Sequence, residues 1–423
     1  MPRADRDKGV SGQLGLRISI YNEPAGSGIG GSEFVAATLA EALGRDHQVS
    51  LFHRIPLLTV EKLAANSGTS LDNVRLHYVD KPDTQPQSRR NPLTHYRELQ
   101  KVQAELSEGY DIFIAIVHDV PPFSHAKKGA LIVLFPLLTA PYVKPEGGVE
   151  AVARKRPGRY LYQTWAWKKR MATYGLKTAI SDFSRRWTRR RWGIDCTVVY
   201  PPVNTSFNHV DKEKIILSVG RFALRGHGHR KNQEEMLEVY GRMQSEHWKY
   251  FCVGGLDVTP AHQDYFEELS ALAAKSGAAV VANLPRNELT SLFERASIFW
   301  HASGYGQDQN VDPILVEHFG ISTVEAMAAG CVPVVINKGG QSEIVEHAVS
   351  GFVWETLDEL KNYTTRLMSD DNLRLQMSAA ARTRAKMFSR EVFLTNFVGR
   401  LLGSTFDEKG QESELEAVST VTR

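Results

Sequence analysis

Short apolar, β-branched runs alternate along this chain with stretches of helical periodicity, and the whole alternation occurs twice. In the first half, residues 16–21, 49–52, 74–78, 112–117 and 131–135 read as strands. Being apolar at consecutive rather than alternate positions, they suit strands covered on both faces of a parallel sheet. Between the first two, Val35, Leu39, Ala42 and Leu43 fall on one helical face. The second half repeats the pattern, with strands at 215–219, 250–253, 278–281, 298–301 and 332–336 and a helix at 233–243. Strand–helix alternation of this kind builds a doubly wound α/β domain. Two such domains fit a chain of 423 residues. Between the halves, Pro201 and Pro202 forbid a continued helix and stiffen the connection. The expected division is 14–205 and 206–403, with 1–13 disordered and the polar, acidic 404–423 a flexible tail. Two facing α/β domains leave a cleft, where ligands bind.

Composition excludes several other classes. Hydrophobic residues make up 42 % and charged residues 23 %, unlike a disordered, collagen-like or coiled-coil protein. Fifty-one Lys and Arg against 48 Asp and Glu leave a formal charge of +3, which does not mark a nucleic-acid binder. Cys196, Cys252 and Cys331 are too scattered for a zinc site or a disulfide framework and point to a reducing compartment. The longest apolar stretch, 130–143, is broken by Pro136 and Pro141 and falls short of the about 20 residues that span a bilayer. Residues 1–12 lack the apolar core of a signal peptide. A cytoplasmic protein, in places peripheral to a membrane, is the expectation.

Three motifs carry chemistry. Ala25-Gly26-Ser27-Gly28-Ile29-Gly30-Gly31-Ser32-Glu33 lies between the first strand and the first helix. Glycines there let a backbone approach a phosphate or sugar, and the helix start behind them favours an anion. A dinucleotide fingerprint can be laid over Gly26, Gly28 and Gly31, but the ribose-binding acid would fall near Asp46, while His53 and Arg54 end the second strand. The oxidoreductase reading is therefore weak, and a plain strand-to-helix turn stays open. The second motif, Gly220-Arg221-Phe222 followed by Lys231-Asn232-Gln233, places a guanidinium fork and a point charge at the carboxyl end of a strand. Two solvated surface cations are the plainer alternative. Arg225, His227, His229 and Arg230 in the intervening loop have no supporting carboxylates, so no metal site is expected.

The third motif is Glu317-His318-Phe319-Gly320-Ile321-Ser322-Thr323-Val324-Glu325, leading into Ala326-Met327-Ala328-Ala329-Gly330. Ser322 with Glu325 three residues on has the form of a capping box, which predicts a helix start near Thr323. The first amides, from Ile321 to Val324, would then offer a diphosphate the positive end of a helix dipole. Glu317 stands on the preceding loop within reach of a sugar hydroxyl, and Glu325 lies one turn into the helix. A self-capping Glu325 and a surface Glu317 remain the bland alternative.

This segment resembles the Glu-x7-Glu signature of retaining glycosyltransferases of family 4, proteins of the GT-B fold. Gly30-Gly31-Ser32-Glu33, Ser181-Asp182-Phe183-Ser184, Tyr200-Pro201-Pro202-Val203, Gly220-Arg221-Phe222 and Gly339-Gly340-Gln341-Ser342-Glu343-Ile344 resemble further family landmarks in the same order, over roughly residues 16–400. The resemblance implies two Rossmann-like domains facing a cleft, the last helix crossing back to the first domain. It implies Arg221 and Lys231 on the diphosphate of a nucleotide sugar, Glu325 on the ribose and Glu317 on the transferred sugar. Backbone groups of Phe319, Gly320, Ile321 and Ser322 would complete the donor site, and Gly30 and Gly31 would close over it. Transfer would retain the anomeric configuration, need no metal or cofactor and use the leaving phosphate to take the acceptor proton. His118, after a first-half strand, matches the place of a histidine that touches the donor sugar in some members. Asn283 and Leu284, after a second-half strand, would line the base pocket. The motif style is similar to that of mannosyltransferases that use GDP-mannose, a UDP-sugar being the other candidate donor, with a sugar or lipid-linked acceptor.

One segment stands apart. From Arg154 to Arg191 there are thirteen Lys or Arg and a single acid, Asp182, with Trp165, Trp167, Trp187 and Trp192 interleaved. It reads either as a surface for anionic lipid or as a solvated face whose tryptophans pack inward; no nucleic-acid-binding module is recognisable. Two other functions stay open beside glycosyl transfer. One is a GT-B epimerase or phosphorylase, for which the needed acid/base set or pyridoxal lysine has no context. The other is a degenerate, non-catalytic partner protein, against which Arg221, Lys231, Glu317 and Glu325 all argue.

Overall fold

The computed structural model describes residues 15–24, 30–80, 92–138, 140, 157–222, 230–243, 247–257 and 259–403. The readings of 1–13 and 404–423, the loop residues Ala25 to Ile29, the basic residues Arg154, Lys155 and Arg156, and Arg225, His227 and His229 lie outside these described residues.

Seven parallel strands form the first sheet: β1 (Arg17–Asn22), β2 (Gln48–His53), β3 (Val74–Tyr78), β4 (Ile112–Val117), β5 (Lys128–Val133), β6 (Leu176–Ala179) and β7 (Thr197–Val198), in the order β3-β2-β1-β4-β5-β6-β7. Six more form the second: β8 (Ile215–Val219), β9 (Lys249–Gly254), β10 (Ala279–Ala282), β11 (Ile298–His301), β12 (Val332–Ile336) and β13 (Phe352–Trp354), in the order β10-β9-β8-β11-β12-β13. Central strands are apolar throughout because helices cover both faces. All six residues of β4, Ile-Phe-Ile-Ala-Ile-Val, are buried. The strand order reverses once in each sheet, between β1 and β4 and between β8 and β11. At such a switch point the flanking connections leave toward opposite faces, and a crevice opens beyond the carboxyl ends of the strands.

The strands at 74–78, 112–117, 215–219, 298–301 and 332–336 and the helix Gln233–Met243 stand where periodicity predicts them. The strand expected at 131–135 instead runs over Lys128–Val133, so Phe135 lies beyond it in the loop. Three short strands are not marked by the apolar runs: β6, β7 and β13.

The chain links its two sheets twice. The stretch 199–214 runs from β7 to β8, and within it Val203 N donates to Phe388 O at 3.0 Å. The last helix, Arg390–Leu402, then packs Phe393, Phe397 and Leu401 into the same apolar cluster as Val35 and Leu39 of the helix Gly31–Gly44. Arg390 pairs there with Glu41, and Lys128 Nζ donates to Leu401 O at 2.6 Å. Among the described residues no helix is long and apolar enough to cross a membrane. The three cysteines are free and buried.

Candidate active site

The second crevice draws its polar groups from three separated segments. β8 ends at Val219, and Gly220 and Arg221 follow at its carboxyl end. The Arg221 side chain is exposed, while its carbonyl accepts from Gln233 Nε2 at 3.1 Å. Lys231 precedes Asn232, whose φ of 56° turns the chain sharply. The Lys231 stem lies across Gly220, where a Cβ would stand 2.8 Å from Lys231 Cγ. Its ammonium pairs with Glu317 Oε2. β11 ends on His301, whose Nε2 is 3.4 Å from that same oxygen.

The helix behind Glu317 starts earlier than the capping-box pattern predicts. Gly320 is its N-cap and Ile321–Ala329 its extent, so Ser322 is the second helical residue rather than the cap. Gly320 adopts φ 131°, and a Cβ there would meet Gln341 Nε2 at 2.1 Å. Only glycine tolerates that backbone, which is why Ser322 does not take the cap position. Gln341 locks the turn by donating to Phe319 O at 3.2 Å and accepting from Thr323 Oγ1 at 2.9 Å. Gly340 N donates to Glu317 O at 2.8 Å. Thr323 and Val324 amides return to Gly320 O. Ile321 and Ser322 are thereby the first-turn amides without an intrahelical acceptor among the described residues. The Phe319 ring is buried against Tyr200 and Phe388, so its backbone alone faces the site. Glu325 does not cap its own helix either. It is buried and paired with Arg286 through Oε1. Burial pushes its carboxyl pKa up, and the Arg286 guanidinium opposes that rise.

The first crevice faces this one. Glu33 accepts from Gly30 N at 2.8 Å and from Asn22 Nδ2 at 2.9 Å, tying the glycine loop to the end of β1. Gly31 stands so close to the opposite lobe that a Cβ would lie 2.7 Å from Ile321 Cδ1. His118 follows β4; its amide donates to Glu23 Oε2 at 3.1 Å and its ring centroid is 6.3 Å from that of His318. Burial pushes the His118 pKa down. The His318 ring stacks on Phe135 with centroids 3.8 Å apart and planes 7° apart. The hydroxyl of Ser181 donates to His318 O at 2.6 Å. Glu343 accepts from the amides of Asp182 and Phe183, both at 2.7 Å, at the start of the helix Asp182–Trp192.

Thus Lys231, Glu317 and His301 meet beyond the ends of β8 and β11, the helix start at Ile321 lies against Gly31, and Arg221 follows the end of β8. Asn283 and Leu284 follow β10. Asn283 clamps the Leu256 backbone, accepting from its amide at 2.9 Å and donating to its carbonyl at 3.2 Å. Leu284 packs on the cluster holding Leu292 and Phe293. His301, Arg286, Gln341 and Glu343 were not singled out as site residues from sequence. Only His301 had a usable signal, as the last residue of an expected strand.

Two family models match the chain: Glycosyltransferase Family 4 over residues 29–207 and Glycosyl transferases group 1 over residues 204–384. The chain belongs to glycosyltransferase family 4. Curated relatives include a GDP-Man:Man(3)GlcNAc(2)-PP-Dol alpha-1,2-mannosyltransferase of Dictyostelium discoideum, 28 % identical over 50 % of this chain and 43 % of the relative. Another is alpha-1,3/1,6-mannosyltransferase ALG2 of Homo sapiens, 26 % identical over 49 % of this chain and 53 % of the relative. This family 4 chain thus aligns with about half the length of either. Its fold is that of HepE of Anabaena solved with UDP-glucose, at TM-score 0.62 and 16 % identity over 92 % of this chain and 100 % of that one. WaaG, a glycosyltransferase of lipopolysaccharide biosynthesis, superposes at TM-score 0.57 and 15 % identity over 91 % of this chain and 100 % of its own. The two-lobed GT-B architecture of this family 4 glycosyltransferase is therefore shared along nearly its whole length.

Proposed function

We propose that this glycosyltransferase moves a hexose, mannose, from GDP-mannose to a glycan or lipid-linked acceptor, with retention at the anomeric carbon and without a metal ion. The observation that carries the reading is the pairing of Lys231 with Glu317 at the switch point of the second sheet, with the helix start at Ile321 set against Gly31. Cleavage of the donor bond passes through an oxocarbenium-like state while negative charge grows on the departing diphosphate. Arg221, Lys231 and the helix amides supply positive potential where that charge develops. Glu325 takes the ribose hydroxyls beside Arg286, and Glu317 takes the transferred sugar. Residues 206–403 hold the donor and 14–205 the acceptor, with His118 at the sugar. The mannose assignment draws support from the named activities of the curated relatives, and a UDP-sugar is the competing donor.

Thermal melting with a panel of nucleoside diphosphates, followed by mass spectrometry of products from sugar-nucleotide and acceptor mixtures, tests this. A rise in melting temperature selective for GDP and a product one hexose heavier are expected. No response to any nucleotide would restore the non-catalytic reading.

The basic segment is assigned to an anionic membrane face. Trp167, Trp187 and Trp192 are core residues, as the inward-packing alternative has it. Trp165 differs: with Leu161, Lys168 and Lys169 it is exposed on the helix Pro157–Ala172. Leu137 and Leu138 are exposed nearby, held to the helix Asp182–Trp192 by Arg191 and Trp192. Co-sedimentation with phosphatidylserine vesicles that weakens with salt, and none with phosphatidylcholine alone, is expected.

A further inference from the structure

His301 is used by none of these roles. Its ring, 4 % exposed, closes the end of β11 and lines a small recess with Ser218, Gly220, Lys231 and Gln233. Nε2 lies 3.4 Å from Glu317 Oε2, and Nδ1 is buried without a hydrogen-bond partner. Burial pushes the ring's pKa down, opposing the pull of the Glu317 carboxylate, so the ring is neutral. A neutral imidazole has one N–H to give, and the carboxylate fixes it on Nε2.

Among the described residues Glu317 has two holders of unlike character. Lys231 reaches it with a long stem of rotatable bonds, whereas His301 is fixed by the pairing of β11 with β8 and β12. A diphosphate entering the crevice attracts the ammonium and is repelled by the carboxylate. The diphosphate carries more charge than one carboxylate and draws the ammonium toward itself, loosening the ion pair of the free protein.

We propose that His301 is a positioning residue for Glu317: donor binding exchanges the Lys231–Glu317 pair for a Lys231–diphosphate pair, and the Nε2–H of His301 then holds the carboxylate toward the transferred sugar. The inference rests on the donor reading above and deepens it. It separates two parts of the donor, because the diphosphate is met by Arg221, Lys231 and the helix amides while the sugar needs a placed Glu317.

Calorimetric dissociation constants for GDP and GDP-mannose, and for UDP and UDP-glucose, test it on wild type, His301→Leu, His301→Gln and His301→Asn. Loss of a hydrogen bond to a charged group is worth about tenfold in affinity. His301→Leu should weaken sugar-nucleotide binding by about tenfold and leave diphosphate binding within about twofold. His301→Gln, whose amide N–H reaches to the place of Nε2, should recover most of the loss, and the shorter His301→Asn should not. In a Glu317→Ala background, which removes the acceptor, His301→Leu should add nothing. Equal sugar-nucleotide affinity of all four proteins, or an equal loss for diphosphate and sugar nucleotide, would overturn the assignment. Should His301→Leu fail to fold, the contrast between His301→Gln and His301→Asn decides it. A wild type that binds none of the four ligands would instead defeat the donor reading, and this inference with it.

Discussion

Glu325 and Lys231 are both charged groups of one crevice, yet their surroundings assign them different work. Glu325 is buried and already paired with Arg286, an arrangement suited to binding rather than to chemistry. Glu325→Ala should weaken nucleoside diphosphate binding by about tenfold, measured by calorimetry, because a charge-assisted contact to a ribose hydroxyl is lost. Lys231, in the proposed reaction, instead meets charge that grows on the departing diphosphate. Lys231→Ala should lower kcat by about 10²-fold or more while keeping most of the nucleotide-induced rise in melting temperature. Equal turnover of Lys231→Ala and wild type would remove its assigned role. Gly320 sets the backbone at the helix start. With φ at 131° and Gln341 2.1 Å from any Cβ, Gly320→Ala should lower stability by about 1–3 kcal/mol, read from urea unfolding.

The helix Asp182–Trp192 shows how an element is held from outside its own lobe. Ser181 caps it locally, its hydroxyl accepting from Ser184 N at 3.0 Å. Glu343, which follows β12, adds a carboxylate over the amides of Asp182 and Phe183. That carboxylate meets the positive end of the helix dipole. Glu343→Ala should cost about 2–4 kcal/mol, from two charge-assisted bonds left unmade, and should loosen the lobes more than either core. Hydrogen exchange in the first turn of the helix, faster in the variant than in wild type, would check the location. Unchanged exchange there would refute it. Strands were legible where apolar runs were at least four residues long and wholly buried, as in β4 and β12. The start of the helix Ile321–Ala329 was misplaced because Ser-x-x-Glu has the form of a cap, and only the tertiary contact of Gly320 with Gln341 excludes it.

Acid should destabilise the folded molecule through its desolvated histidines. Burial lowers the pKa of His53, His118 and His301 below the ordinary 6.5. Below pH 6.5 the unfolded chain takes up protons that the folded one refuses, so the stability these rings contribute is full above that pH and is lost as pH falls toward their folded values. Glu325 and Glu343 have raised pKa values and act with the opposite sign, favouring the fold at lower pH. Melting temperature should fall between pH 7 and pH 5, and His118→Asn should make the fall shallower. A profile identical to wild type would show that His118 does not contribute.

The doubly wound plan, its duplication and the residue types of the candidate crevice follow from local information. Apolar period, glycine placement and the spacing of Glu317 from Glu325 are written along one stretch of chain at a time. Tertiary structure alone decided the partners. That Lys231 and His301 share one oxygen of Glu317, that Arg286 faces Glu325 and that Gly31 touches Ile321 all depend on chain returning from tens to hundreds of residues away. No sequence period encodes such contacts, because those of Glu317 and Glu325 are fixed by how the second sheet brings its connections together and that of Gly31 by how the two lobes meet.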